Sequence, residues 1–389
     1  MTTLHSPIDT EVAHGLKGVA SHATQLSEVD GQAGRLVIRG YDIHELAGRV
    51  SFEEAAYLLW YGDLPSRQQL DDVQQEMAAA RQLPGAIMDV LRATARQGTG
   101  MHALRMGAAA LSIDEPHADD LSPEDNRRLA LRITARMPAL VAHHYRLHQG
   151  QSICESPNHL GFAAGYFYML EGREPDPARV DALNAYLVTV LEHGMNASTF
   201  VARAIASADS DMVSAVTGAV GSLKGPRHGG VPGPVLEMLT AIGTPDRAEA
   251  WVRSALGRGE RIMGFGHRIY KVRDPRAEVL GEAAEKIVWQ TGDRKLLDLT
   301  TTVERVTVKV LEEAKPGHDL YANVELFAAL ILHVVGIPSE LFTPTFAISR
   351  TAGWTAHVLE QFTDNLLIRP ESVYVGPRGR TFAPVHQRS

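Results

Sequence analysis

Four short segments of this 389-residue chain set a polar side chain among small or turn-forming neighbours. They are Glu192-His193-Gly194-Met195-Asn196-Ala197-Ser198-Thr199, Lys224-Gly225-Pro226-Arg227-His228-Gly229-Gly230, Gly264-Phe265-Gly266-His267 running on to Asp274-Pro275-Arg276, and Asn323-Val324-Glu325. Small neighbours let backbone and imidazole approach a ligand closely. Imidazoles and a carboxylate are the groups that transfer protons and polarise carbonyls. The third segment also sits in a run of cations: Arg253, Arg258, Arg261, Arg268, Lys271, Arg273 and Arg276 face only Glu260 and Asp274, with Lys224 and Arg227 upstream. The whole chain carries a net charge of −8, so this local reversal of sign suits an anionic ligand. Taken singly, each feature has a plainer explanation: a capped helix end for His193, a turn for His228, a solvated helix position for Glu325 and a solvated helix face for the basic run.

Other chemistries lack their residues. Cys154 is the only cysteine, so one chain builds no disulfide and no Cys-based zinc or iron–sulfur site. No GxxxxGK[ST] loop is present, and Gly264-Phe265-Gly266 lacks both a third glycine and a preceding strand pattern. His144 and His148 have metal-compatible spacing but no acidic third ligand nearby, and read as a wet helix face; no metal is expected.

The elements that must position these segments are mostly helical. Ser51-Phe52-Glu53-Glu54 has capping-box spacing, and Ser122-Pro123-Glu124-Asp125 places a cap, a first-turn proline and acidic residues before an apolar stripe. Asp176-Pro177 opens a segment with Val180, Leu183, Leu187 and Leu191 on one face. Residues 303–315 and 323–335 complete the pattern. Strands are expected at 35–39, 373–375 and 381–385, too few for a central sheet; 152–159, 172–177 and 221–233 read as loops, the last as a hinge between a large and a small domain. The composition is that of a soluble globular protein, and the length allows two domains. The net negative charge argues against nucleic-acid or membrane-surface binding. The apolar run 326–338 is well short of the roughly 20 residues of a membrane span and reads as a buried helix. With no secretory signal among the first 30 residues and a single cysteine, a cytoplasmic location is expected.

In order and spacing the four segments closely resemble the motifs of the citrate synthase family. Gly15-Leu16-Lys17-Gly18-Val19, Arg39-Gly40-Tyr41-Asp42-Ile43, residues 52–60 and Leu341-Phe342-Thr343-Pro344 resemble further elements of that family, so the likeness spans nearly the whole chain. It implies an all-α fold with few short strands: a large domain of residues 1–229 plus 337–389 and a small domain of 230–336. It also implies a homodimer in which Arg369 is contributed across the interface. The implied reaction condenses acetyl-CoA with oxaloacetate and water to give citrate and CoA; acetyl-CoA is a substrate, and no resident cofactor is expected. Making a carbon nucleophile from a thioester requires a carboxylate base acting together with a donor to the enolate oxygen. By resemblance Glu325 is the base, His228 donates to the thioester oxygen, and His267 polarises the ketone. His193, Arg276, Arg350 and Arg369 resemble the family's oxaloacetate-binding residues, arginine's planar fork being the natural carboxylate receptor. Arg261, Met263, Gly264, Phe265, Gly266 and Lys271 are the expected CoA contacts.

The chain departs from the family pattern where aspartate usually follows Asn-Val and here Glu325 stands. Ala322 occupies a position where proline is more usual, and the turn after Gly230 runs Val231-Pro232-Gly233. These changes bear on rate and acyl preference. A 2-methylcitrate synthase using propionyl-CoA is the near alternative, and an inactive CoA- or dicarboxylate-binding relative is the alternative from another class. With the first family motif reached by Gly15, the resemblance also implies insensitivity to NADH.

Overall fold

The computed structural model describes residues 12–388, except 17, 116, 117, 119–121, 230, 231, 292 and 293. A small antiparallel sheet of β1 (Ser27–Asp30), β2 (Arg35–Ile38) and β3 (Tyr41–Asp42) pairs Ser27 with Ile38 and Val37 with Asp42. Helices make up the rest: α1 (Ile43–Leu46), α2 (Phe52–Tyr61), α3 (Arg67–Ala80), α4 (Gly85–Thr94), α5 (Gly100–Ala110), α6 (Pro123–His148), α7 (Phe162–Glu171), α8 (Pro177–Val190), α9 (Ala197–Ala206), α10 (Met212–Leu223), α11 (Pro232–Ile242), α12 (Ala248–Gly257), α13 (Pro275–Thr291), α14 (Lys295–Ala314), α15 (Val324–Val334) and α16 (Phe342–Thr363). The fold is all-α with few short strands, as the resemblance implied.

The expected helix starts form for the expected reasons. Ser51 closes a reciprocal capping box with Glu54 on α2. Ser122 caps α6 ahead of Pro123, and Asp176 caps α8 ahead of Pro177. Each satisfies backbone N–H groups that the first turn leaves without partners. The 303–315 stretch belongs to a longer helix that begins at Lys295. The 221–233 stretch is only partly a loop, since α10 continues through Leu223 and α11 begins at Pro232, with Gly230 and Val231 outside the described residues. The strands expected at 373–375 and 381–385 do not form; Val385–Gln387 is instead a short 3-10 turn. A three- to five-residue apolar run makes a strand only where a neighbour accepts its backbone hydrogen bonds, and among the described residues this segment has no such neighbour. The wet face expected for His144 is also corrected: His144 is buried, and only His148 is exposed.

Helix α16 is the axis of the fold. It packs against α6, α9, α10, α2 and α8 and is buried from Phe342 through most of its length. Its polar side chains are therefore matched to partners: Ser349 Oγ donates to Leu187 O at 2.6 Å, Arg350 Nε to Val190 O at 2.7 Å, and Thr355 Oγ1 accepts from Trp60 Nε1 at 2.9 Å. Residues 232–334 pack largely among themselves, through α13 on α15, α11 on α15 and α12 on α14, with α13 also against α8.

Candidate active site

The segment joining α12 to α13 bends through Gly264 and Gly266, whose φ values of 81° and 79° favour glycine. A Cβ on Gly264 would lie 3.1 Å from the Leu326 side chain, so its absence lets the loop sit directly on α15. Asn323 N–H donates to Gly264 O at 2.9 Å, Gly266 N–H to Tyr321 O at 2.8 Å, and Asn323 Nδ2 to Gly266 O at 2.9 Å. The His267 loop and the start of α15, which carries Glu325, are thereby pinned to each other. Asp274 adds a third tie. Fully buried, it accepts from Arg276 Nε at 3.0 Å and Nη2 at 2.7 Å and from Val324 N–H at 3.1 Å.

Both half-buried imidazoles of the site are fixed as neutral donors. His267 Nδ1 accepts from the backbone N–H groups of Ile269 and Tyr270, each at 3.1 Å, which leaves the ring proton on Nε2. His228 Nε2 accepts from Ser198 N–H at 3.2 Å, with the Ser198 hydroxyl 2.8 Å away, which leaves the proton on Nδ1. Ser198 stands in the first turn of α9, capped by Asn196, where the positive end of the helix disfavours an imidazolium. Trp354 Nε1 holds the Ser198 hydroxyl from behind at 3.0 Å. Burial, then Arg350, lowers the His228 pKa to about 4; burial, then Arg276, lowers that of His267 to about 4. His193, buried and facing the same arginines, is held well below its ordinary value, first by burial.

Glu325 moves the other way. At a helix N-terminus a carboxyl is ordinarily stabilised as the anion, but burial outweighs that and, with Asp274 adding to it against Arg276 and Arg350, raises the Glu325 pKa to about 7. The carboxylate is thus poised between its two protonation states at neutral pH while the imidazoles near it stay uncharged.

One cavity of about 1150 Å³ unites these groups. It is lined by His193, His228, His267, Glu325, Arg276 and Arg350, and by Arg261, Met263, Gly264, Phe265 and Gly266. That volume exceeds the roughly 300–1000 Å³ of an ordinary small-molecule pocket and suits a nucleotide-sized ligand. Two expected site residues lie elsewhere. Lys271 is exposed and does not line the cavity; its backbone N–H donates to Gly31 O at 2.8 Å beside the small sheet. Arg369 is exposed beyond the end of α16 and also lies off the cavity of its own chain.

Residues 15–371 match the family described as citrate synthase, C-terminal domain. The chain belongs to the citrate synthase family. It is 42% identical to the citrate synthase of Haloferax volcanii, over 97% of this chain and 99% of that one. It is also 36% identical to a 2-methylcitrate synthase of Shewanella oneidensis, over 96% and 97%. The structure superposes with a TM-score of 0.90 on the citrate synthase of Thermoplasma acidophilum in a ternary complex with carboxymethyl coenzyme A and oxaloacetate, at 29% identity over 97% of this chain and all of that one. As a member of this family the protein is an acyltransferase.

Several residues behind the site were given no role from the sequence. Ser198 and Trp354 fix His228; Ser198 lay inside the 192–199 segment, whereas nothing in the sequence pointed to Trp354. Glu192 is fully buried beside His193; its Oε1 accepts from Ser27 Oγ at 2.9 Å, Gly194 N–H at 2.5 Å and His357 Nε2 at 3.0 Å. His357 Nδ1 in turn accepts from Arg203 Nη1 at 3.1 Å, and that guanidinium pairs with Glu360 at 2.7 Å. This hydrogen-bonded chain ties α9, α16 and the His193 turn together.

Proposed function

We propose that this protein condenses acetyl-CoA with oxaloacetate and water to give citrate and CoA. The observation that carries the reading is a carboxyl poised near pH 7 in the same cavity as two imidazoles whose donor hydrogens are set by backbone N–H groups. Glu325 takes a proton from the acyl methyl group while His228 Nδ1–H stabilises the enolate oxygen. The enolate carbon then attacks the ketone carbon, and the new alkoxide is met by His267 Nε2–H. Neutral donors suit both steps, because each bond strengthens as charge reaches the oxygen; one such donor is worth about 3 kcal/mol. Water then cleaves the citryl thioester, releasing CoA and citrate. Arg276 and Arg350 receive the carboxylates of oxaloacetate with His193, and Arg261 and the 263–266 backbone meet CoA.

Propionyl-CoA is the competing substrate, since relatives named 2-methylcitrate synthase match at similar identity. Glu325 carries one more methylene than the family's usual base, which takes up space at the acyl end and favours acetyl; one methylene is worth about 1–3 kcal/mol. Thiol release with each acyl-CoA tests this. Faster turnover of propionyl-CoA at equal concentration overturns the preference, and release with neither overturns the reaction. The same reading takes residues 230–336 as a small domain closing over a large one, with a homodimer supplying Arg369 across its interface and a cytoplasmic location. The exposed run of Leu366, Leu367, Tyr374, Val375 and Phe382 supports the dimer, because such apolar side chains are ordinarily covered.

A further inference from the structure

Tyr270 stands directly behind the site and is almost wholly buried, yet it does not line the cavity. Its hydroxyl lies 3.2 Å from His193 Nε2, and its ring leans on His267 with 4.8 Å between centroids. The His193 and His267 rings meet edge to face at 5.5 Å, and the Arg276 guanidinium lies 5.9 Å from the Tyr270 ring. One side chain therefore touches three groups assigned above to oxaloacetate.

We propose that Tyr270 is a positioning residue that selects the tautomer of His193, donating its hydroxyl hydrogen to Nε2 so that His193 presents Nδ1–H to the keto diacid. This rests on the proposed use of oxaloacetate and assigns how His193 takes part. Counting hydrogens decides the direction of the bond. The phenol has one hydrogen, and His193 Nε2 is the partner found for that hydroxyl among the described residues. Were Nε2 the donor instead, the phenol hydrogen would be left without an acceptor in a buried place, a costly arrangement. The phenol keeps its hydrogen, since burial pushes its ionisation above the ordinary range. His193 lines the cavity and has Nε2 engaged by Tyr270, so Nδ1 is the nitrogen left for a ligand, and the tautomer that satisfies Tyr270 is the one able to donate to an anion.

Nitrogen NMR of protein labelled at histidine tests this, with the His193 signals assigned by their loss in His193→Gln. In the wild type we expect Nδ1 to carry the proton. A proton on Nε2 overturns the proposal whether or not any variant folds. In Tyr270→Phe, which keeps the ring and its contacts, we expect a mixture of tautomers and a KM for oxaloacetate raised about tenfold, the usual loss for one buried hydrogen bond, with kcat within about threefold. An unchanged tautomer with oxaloacetate affinity within about twofold overturns it. Failure of the wild type to form citrate would instead count against the reaction, because the tautomer is read without turnover.

Discussion

If Glu325 is the base, its ionisation should govern the rate across neutral pH. With a pKa of about 7, the carboxylate fraction is about one-tenth at pH 6 and about nine-tenths at pH 8, so kcat/KM for acyl-CoA should rise roughly tenfold between them. His228 and His267, at about 4, stay neutral throughout and add no inflection there. An ordinary carboxyl near 4.5 would give a flat profile over the same range, so the slope itself reports the buried environment. The assay is thiol release at saturating oxaloacetate and limiting acyl-CoA, with buffers matched in ionic strength. Glu325→Gln should lower the rate by about 100- to 10,000-fold, the range for a positioned acid or base, and abolish the inflection. Glu325→Asp should keep a carboxylate but withdraw it by about 1 Å, with a loss on the order of 100-fold. A flat wild-type profile from pH 6 to 8, or a Gln variant with more than a tenth of the activity, would refute the assignment.

Other outcomes follow from the same geometry. Ser198→Ala removes the hydroxyl beside His228 Nε2 and should lower kcat about tenfold, in line with one lost hydrogen bond, leaving KM for oxaloacetate nearly unchanged in steady-state assays. Glu192→Ala leaves Ser27, Gly194 N–H and the His357–Arg203 pair facing an empty buried site, and should cost about 3–5 kcal/mol in urea unfolding. Gly264→Ala forces a Cβ onto a left-handed residue against Leu326; a loss of about 1–3 kcal/mol is expected by thermal unfolding. The stability that His193, His228 and His267 add as buried neutral rings is present above their ordinary value of 6.5 and is lost as pH falls toward 4. Melting temperature should therefore drop over that window, and less steeply in His228→Gln.

Helix starts were legible because capping is local: Ser51, Ser122 and Asp176 each act on N–H groups within three residues. The C-terminal segment failed by the same logic. Whether residues 373–375 form a strand depends on a partner backbone that periodicity does not reveal. His144 shows a second limit, since i, i+4 spacing gives the face of a helix but not what packs on that face, and here α6 turns it inward.

The site divides along a similar line. His228, His267, Glu325 and the arginines were found through motif order, and the cavity unites all but Lys271 and Arg369. What motifs could not convey is the protonation each group adopts. Aspartate or glutamate after Asn-Val reads as an ionised acid, and only the surrounding burial, set against Arg276 and Arg350, brings Glu325 to about 7. A histidine in sequence does not say which ring nitrogen carries the proton; Ser198 N–H and the Ile269 and Tyr270 N–H groups decide it. Those donors lie 30 residues away for His228 and two and three away for His267. The shorter separations place the tautomer of His267 within its own motif, whereas that of His228 arises only when α9 and the 224–229 turn are packed together. Mutations that loosen this packing, without touching either ring, should therefore disturb His228 before His267.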